Sequence, residues 1–201
     1  DPAVNVAKTS KVLTFIDYFT PKTAHIILNK YGKAKAITAS NVFAHVDNLY
    51  EFMSGIKMLL ESDGIFIIEV PHLLNLILNK EFDTIYHEHL SYFSLKPLQN
   101  IGRIFNLPVF KVEELPIHGG SLRVYFGNKF PEKKSIRKVL NKETGAGLYE
   151  EKTYESFSSK VSNIRLELTS ILKRLKLENK RIIGYGAPAK GNTLLNYCKI
   201  N

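Results

Sequence analysis

Four consecutive residues, Tyr86-His87-Glu88-His89, set a phenol, two imidazoles and a carboxylate side by side, flanked by Phe82, Ile85, Leu90, Tyr92 and Phe93. An imidazole can take a proton at physiological pH, and a phenol can donate to an oxygen that is becoming negative. The chemistry implied is removal of a proton beside a carbonyl; the bland alternative is a polar turn leading into an aromatic strand. A second motif runs over residues 181–193, where an apolar strand enters a turn holding Gly184, Tyr185 and Gly186, then a helix starting near Lys190. Backbone N–H groups at that helix start, with Lys190 as a point charge, make a candidate phosphate cradle. Its spacing matches neither the dinucleotide fingerprint nor the P-loop pattern.

The elements that must position these groups alternate along the chain. Apolar spacing predicts helices over residues 5–13 and 23–31, the second stopped by Gly32, and a short strand over 15–19 closed by Pro21. A buried strand follows over 35–43, then a helix from an Asp47 cap to Glu61, a turn at 62–64, and a strand over 64–70 ended by Pro71. This order implies an α/β, doubly wound, mostly parallel sheet that binds ligands beyond the carboxyl ends of its strands. His45 and Glu69-Val70-Pro71-His72 lie at those ends. Strands over 107–115 and 121–126, joined through Pro116-Ile117-His118-Gly119-Gly120, would close the sheet antiparallel. Beyond Gly127 the chain turns basic and polar to residue 147. A long helix over 149–177 then carries Phe157, Val161, Ile164, Leu168, Ile171, Leu172 and Leu175 at helical spacing, read as a core-facing stripe linking two lobes.

Composition bounds the function classes. A chain of 201 residues, 44% hydrophobic, can bury one good core and a small second one. The single cysteine, Cys198, excludes an internal disulfide and a cysteine-built zinc site, as fits a reducing compartment. With no apolar run of spanning length and no basic-then-apolar leader, a cytoplasmic location away from membranes is expected. The charge of +9, from 28 basic and 19 acidic residues, lies largely in the last third. There Lys173-Arg174-Leu175-Lys176-Leu177 reads as the solvated side of a helix rather than a basic surface interleaved with aromatics, so an anionic small molecule is favoured over nucleic acid.

Four segments, residues 41–46, 81–94, 118–123 and 184–193, together resemble the S-adenosylmethionine-dependent sugar C-methyltransferases, which methylate C3 of nucleotide-linked 4-keto-deoxysugars. The resemblance spans nearly the whole chain, and the run around the tetrad is its strongest part. It implies a Rossmann-like class I methyltransferase core over residues 1–127, lacking the first strand and its glycine loop. A helical linker over 128–178 and the beginning of a sugar-nucleotide-binding α/β domain over 179–201 would follow, making this an internal stretch of a longer enzyme. Zinc is expected only in a cysteine module that would precede it.

By family position, the resemblance makes His89 the base that opens C3, with Tyr86 and Glu88 shaping or protonating the enolate and His45 facing the same pocket. Asp1, Asn41 and Phe43 would meet S-adenosylmethionine, with Asp1 on the ribose hydroxyls. Lys190, Gly186, Tyr185, Arg123 and His118 would meet the nucleotide-diphosphate sugar. No metal enters these steps. His87 is expected to point away and serve structure, and His25 and His72 to be ordinary surface or loop histidines. Two other classes remain. One is a metal-dependent enzyme using His87 and His89, taken as alternating to one side of a strand, with Glu88 or His45. The other is a non-catalytic binding role for a methyltransferase fold.

Overall fold

The computed structural model describes residues 13–186 and 188–200. Asp1, Ala187 and all of the expected first helix but Leu13 lie outside the described residues. Four strands form one mixed sheet in the order β1-β2-β4-β3, with β1 at Ala34–Ser40, β2 at Leu60–Pro71, β3 at Val109–Leu115 and β4 at Ser121–Phe126. β1 and β2 run parallel, as expected, with Ile37 opposite Phe66 and Ala39 opposite Ile68. β4 inserts between β2 and β3, antiparallel to both.

Helix α1 (Pro21–Tyr31) starts where the Thr20 hydroxyl accepts the Thr23 N–H and proline occupies the first turn; it ends at Gly32, whose φ of 77° is costly for other residues. Helix α2 (Leu49–Leu59) makes the crossover from β1 to β2. Its cap is Asn48 rather than Asp47, the carboxamide accepting the N–H groups of Tyr50 and Glu51. The expected turn at 62–64 is instead part of β2. Leu60 faces Ala34 and Ile65 faces Ala36, so residues 61–64 bulge opposite Lys35, which is ion-paired with both Glu61 and Asp63.

The core lies on the face of β2 that carries Phe66, Ile68 and Val70, all fully buried. Phe66 stacks on Phe126 at 5.5 Å, and Phe43 meets Phe52 at 5.6 Å and Phe93 at 5.2 Å between ring centroids. β1 stops at Ser40, short of the expected Phe43, because Asn41 turns left-handed (φ 55°) into the 3-10 turn Phe43–His45. That turn drives Phe43 into the core.

Beyond β2 come α3 (Leu73–Asn79), the 3-10 turn Phe82–Thr84 and α4 (Leu95–Ile104). After β4, the basic segment holds an unexpected helix, α5 (Lys134–Gly145), which buries Ile136, Val139 and Glu143. The long helix forms as α6 (Glu151–Leu177), but its stripe is covered only in part: Val161 is buried and Phe157 packs on the cluster of Leu74, Leu76, Ile77 and Leu148, while Ile171 is 46% exposed. Helix α7 (Ala189–Cys198) packs against α6 and against the turn Phe82–Thr84, with the Tyr197 ring 5.1 Å from Phe82 and the Arg165 guanidinium 5.8 Å over Tyr197. The expected strands at 15–19 and 181–183 are absent, since neither segment has a ladder partner among the described residues. No helix of the described residues is long and apolar enough to cross a membrane.

Phe66 touches three other core rings. Phe66→Ala should lower unfolding free energy by about 3–5 kcal/mol, and Phe66→Leu by much less. Urea denaturation midpoints check the difference.

Candidate active site

One cavity of about 200 Å³ opens beyond the carboxyl ends of β1 and β2. Asn41 and Ala44 line it from the segment after β1, Pro71 and His72 from the end of β2, Tyr86 and His89 from the tetrad, His118 from the loop before β4 and Lys190 from α7. Ligands are expected at strand ends in such sheets, and here the sheet, the tetrad and the glycine-turn helix meet in one space.

The tetrad is a turn, not a strand. His87 and His89 therefore do not share a strand face, which removes the geometry assumed for a metal-dependent site. Among the described residues, no group of three His, Cys, Asp or Glu side chains is arranged to hold a metal ion. Main-chain bonds anchor the segment: the N–H groups of Leu90 and Ser91 both reach the Ala44 carbonyl, tying it to the turn after β1.

Two tetrad-region imidazoles have their tautomers set by main-chain carbonyls. His89 Nδ1 lies 2.9 Å from the Thr84 carbonyl, which can only accept, so Nδ1 carries the proton and Nε2 is the basic nitrogen. The Tyr86 hydroxyl donates toward that Nε2 from 3.4 Å, with the two rings 4.4 Å apart. His45 donates from Nδ1 to the Glu88 carbonyl at 2.7 Å and packs its ring 4.9 Å from His89. Tyr92, whose phenol burial pushes above its ordinary pKa, donates to Thr84 O at 3.4 Å. Thr84 sits in the turn that α7 packs against, so that helix supports the residue that orients His89.

The other expected residues fall in different places. Asn41 lines the cavity in its left-handed conformation, whereas Phe43 is fully buried in the core. Glu88 is exposed; its carbonyl, not its carboxylate, holds His45. His118 (φ 51°) and Gly120 line the cavity. Gly120, at φ 117°, has a backbone strained for any other residue, and a Cβ there would fall 2.0 Å from the Asn75 amide nitrogen, so the Asn75 side chain would have to move. Arg123 does not line the cavity; its guanidinium is bound to Glu69 at 2.6 Å and lies 3.8 Å from Glu113. Lys190 reaches the cavity from the first turn of α7, while Tyr185 is fully exposed and Gly186, also exposed, makes the turn at φ 100°.

His72 overturns its expected role as an ordinary histidine. It is 1% exposed, lines the cavity, and bonds through Nε2 to Glu143 Oε1 at 2.8 Å. Glu143 is itself fully buried and also accepts the Leu95 N–H at 2.8 Å and the Tyr149 hydroxyl. Burial and the Glu143 carboxylate push the Tyr149 phenol up to about 12. The only sequence signal for this pair was the position of His72 at the end of β2, because its partner lies 71 residues away.

Comparison with known proteins bears on this geometry. A family model described as "Methyltransferase domain" matches residues 4–112, more than half the chain, and one described as "C-methyltransferase C-terminal domain" matches residues 116–201. The C-methyltransferase NovU of Streptomyces niveus is 34% identical over 204 residues. That alignment covers 98% of this chain and 49% of NovU, so the chain spans about half the length of that relative.

Tyr149 yields a test. Its folded pKa is raised, so its bond to Glu143 contributes in full below about pH 10 and is lost as pH rises toward 12. Tyr149→Phe should lower stability at neutral pH by about 1 kcal/mol and flatten the decline in melting temperature between pH 10 and 12. Thermal unfolding across that range measures it.

Proposed function

The chain belongs to the S-adenosylmethionine-dependent C-methyltransferase family, and from that premise we propose that the protein methylates C3 of a nucleotide-linked 4-keto-deoxysugar in the cytoplasm. The observation that carries this reading is His89: its proton is held on Nδ1 by the Thr84 carbonyl, and its basic Nε2 stands beside the Tyr86 hydroxyl in a cavity-lining position.

A ketone at C4 acidifies the C3 proton. His89 Nε2 takes that proton, the C–H electron pair becomes the enolate, and the negative charge settles on the C4 oxygen. Tyr86 then turns its hydroxyl from His89 to that oxygen, which supplies a donor where charge develops. His45, tethered to Glu88 O, borders the same base and restricts its rotation. Glu88 contributes through that tether. S-adenosylmethionine, when bound, would supply an electrophilic methyl on a sulfonium, whose methyl carbon–sulfur bond breaks to leave S-adenosylhomocysteine as the methyl joins C3. Asn41, at the β1 end of the cavity, fits a cofactor held beside the sugar, while Phe43 is turned into the core and Asp1 lies outside the described residues.

The cavity is smaller than the roughly 300–1,000 Å³ that encloses a whole drug-sized ligand, so in this reading it holds the sugar and leaves the nucleotide outside. Lys190 and His118 then meet the diphosphate at the rim, and the basic chain draws the anion in. Gly186 and Tyr185 shape the approach to Lys190, and Arg123 acts through Glu69 rather than on the substrate. The domain division follows. In this reading residues 1–127 belong to a Rossmann-like class I core, a boundary supported by the pairing of β4 between β2 and β3. Residues 128–178 link it to a sugar-nucleotide-binding domain beginning at 179.

In deuterated water, the full-length protein should exchange the C3 proton of a 4-keto sugar nucleotide with methyl transfer blocked. His89→Asn should slow exchange about 10²–10⁴-fold, the span of a general base, without weakening S-adenosylmethionine binding. Exchange at the wild-type rate would move the base elsewhere.

Lys190→Ala should raise the KM for the sugar nucleotide about 5- to 30-fold, as loss of a charged contact does, with a smaller effect on kcat. Steady-state kinetics decide this, and an unchanged KM removes Lys190 from the site.

A further inference from the structure

Among the described residues that line the cavity, Glu81 is the one carboxylate and Lys190 the one ammonium, and no ion pair joins them. The proton transfer described above uses no part of Glu81. Its main chain is engaged locally: the N–H bonds the Leu76 carbonyl at 2.9 Å, and the carbonyl accepts both the N–H and the hydroxyl of Thr84. The side chain runs instead to the turn before β4. Gly119, at φ 78°, has no side chain there, and the Glu81 carboxylate occupies the place a Cβ would take. His118 and Gly120, on either side of Gly119, both line the cavity, so the carboxylate lies in that wall. Asn79, the last residue of α3, fixes it by donating its amide to Glu81 Oε1 at 3.0 Å and to the Gly119 carbonyl at 3.2 Å. Oε2 takes no hydrogen bond from any described residue. It is also open, because Glu81 is half-buried and the one enclosed, unpartnered side-chain nitrogen or oxygen among the described residues belongs to His72.

We propose that Glu81 is a specificity-determining residue whose Oε2 accepts a hydrogen bond from a ring hydroxyl of the sugar. The identity of that ligand rests on the function proposed above. An ionised carboxylate can only accept, and the groups of a neutral 4-keto sugar that can donate are its hydroxyls. A bond to a charged acceptor is about twice as strong as one between neutral groups, so this contact separates sugars that carry the hydroxyl from sugars that lack it. The same charge opposes a phosphate in its place, whereas Lys190 draws one, so the two groups together select which end of the substrate enters. The main chain sets the register. Glu81 O holds Thr84 and Thr84 O holds His89 Nδ1, so the hydroxyl acceptor and the basic imidazole are positioned from one turn.

Calorimetric binding of two probes to the full-length protein tests the contact: a 4-keto sugar nucleotide, and the nucleoside diphosphate that lacks the sugar. Glu81→Gln keeps the bulk against Gly119 and removes the charge; Glu81→Ala removes the acceptor as well. Glu81→Gln should weaken the sugar nucleotide about tenfold, as loss of a charge-assisted bond does, and Glu81→Ala by at least as much. Neither should weaken the nucleoside diphosphate. With ring hydroxyls removed from the sugar nucleotide one at a time, wild type should lose a similar factor on one analogue, and Glu81→Ala should bind that analogue and the parent alike. Weakening of both probes in parallel would make Glu81 a clamp on the His118 turn and overturn the proposal. So would a variant that binds the sugar nucleotide as wild type does, or Glu81→Ala protein that still prefers the parent. Should Glu81→Ala not fold, Glu81→Gln carries the same comparison. Wild-type protein that binds no 4-keto sugar nucleotide sinks the proposed function and this contact together, whereas wild type and variants that bind it equally sink the contact alone.

Discussion

A carboxylate taken wholly out of water costs several kcal/mol unless donors replace its hydration, and Glu143 is such a carboxylate. It is fully buried, and its donors come from three separate places: His72 at the end of β2, the first N–H of α4, and Tyr149 before α6. Removing any one leaves the others around an under-satisfied charge. The carboxylate therefore fixes how α5 docks on the sheet and how the end of β2 presents His72. The cavity wall depends on that docking.

A second line of contacts runs to His89. Tyr197 of α7 packs on Phe82; the turn beginning at Phe82 ends at Thr84; the Thr84 carbonyl holds His89. The tetrad is also pinned to Ala44 after β1. The sheet and α7 thus both set the position of one imidazole. Proton abstraction is intolerant of misplacement by even an ångström, and two independent anchors limit that drift better than one.

Much of the sheet was legible because its signal is local. The apolar alternation of β2, the left-handed Gly32 and the His118-Gly119-Gly120 turn each carry their conformation in their own side chains. What failed depended on partners. Residues 15–19 and 181–183 have strand composition, but a strand exists only by pairing. α5 was missed because its apolar positions, Ile136, Val139 and Leu140, lie among five basic residues from Lys133 to Lys142. The stripe on α6 has the right period, yet period says which residues share a face and not whether anything covers it. Of the site, the tetrad announced itself by composition and the link to Lys190 by a motif. His72 did not, since a buried histidine is recognisable only with its carboxylate beside it.

Three imidazoles, His89, His45 and His72, share one rule: each is tethered at one nitrogen by an acceptor, and the first and last of them line the cavity. Their tethers differ in charge. His89 and His45 hang from carbonyls, and His72 from a carboxylate. A carbonyl orients a ring and selects its tautomer without placing a full counter-charge against it. That suits a group which must take a proton and later return it, because a strong fixed counter-ion would favour one of the two states. A carboxylate already satisfied by other donors does the opposite and holds its imidazole in one arrangement. The different tethers therefore set one imidazole rigidly at the end of β2 and leave those on the tetrad side oriented without a full counter-charge against them.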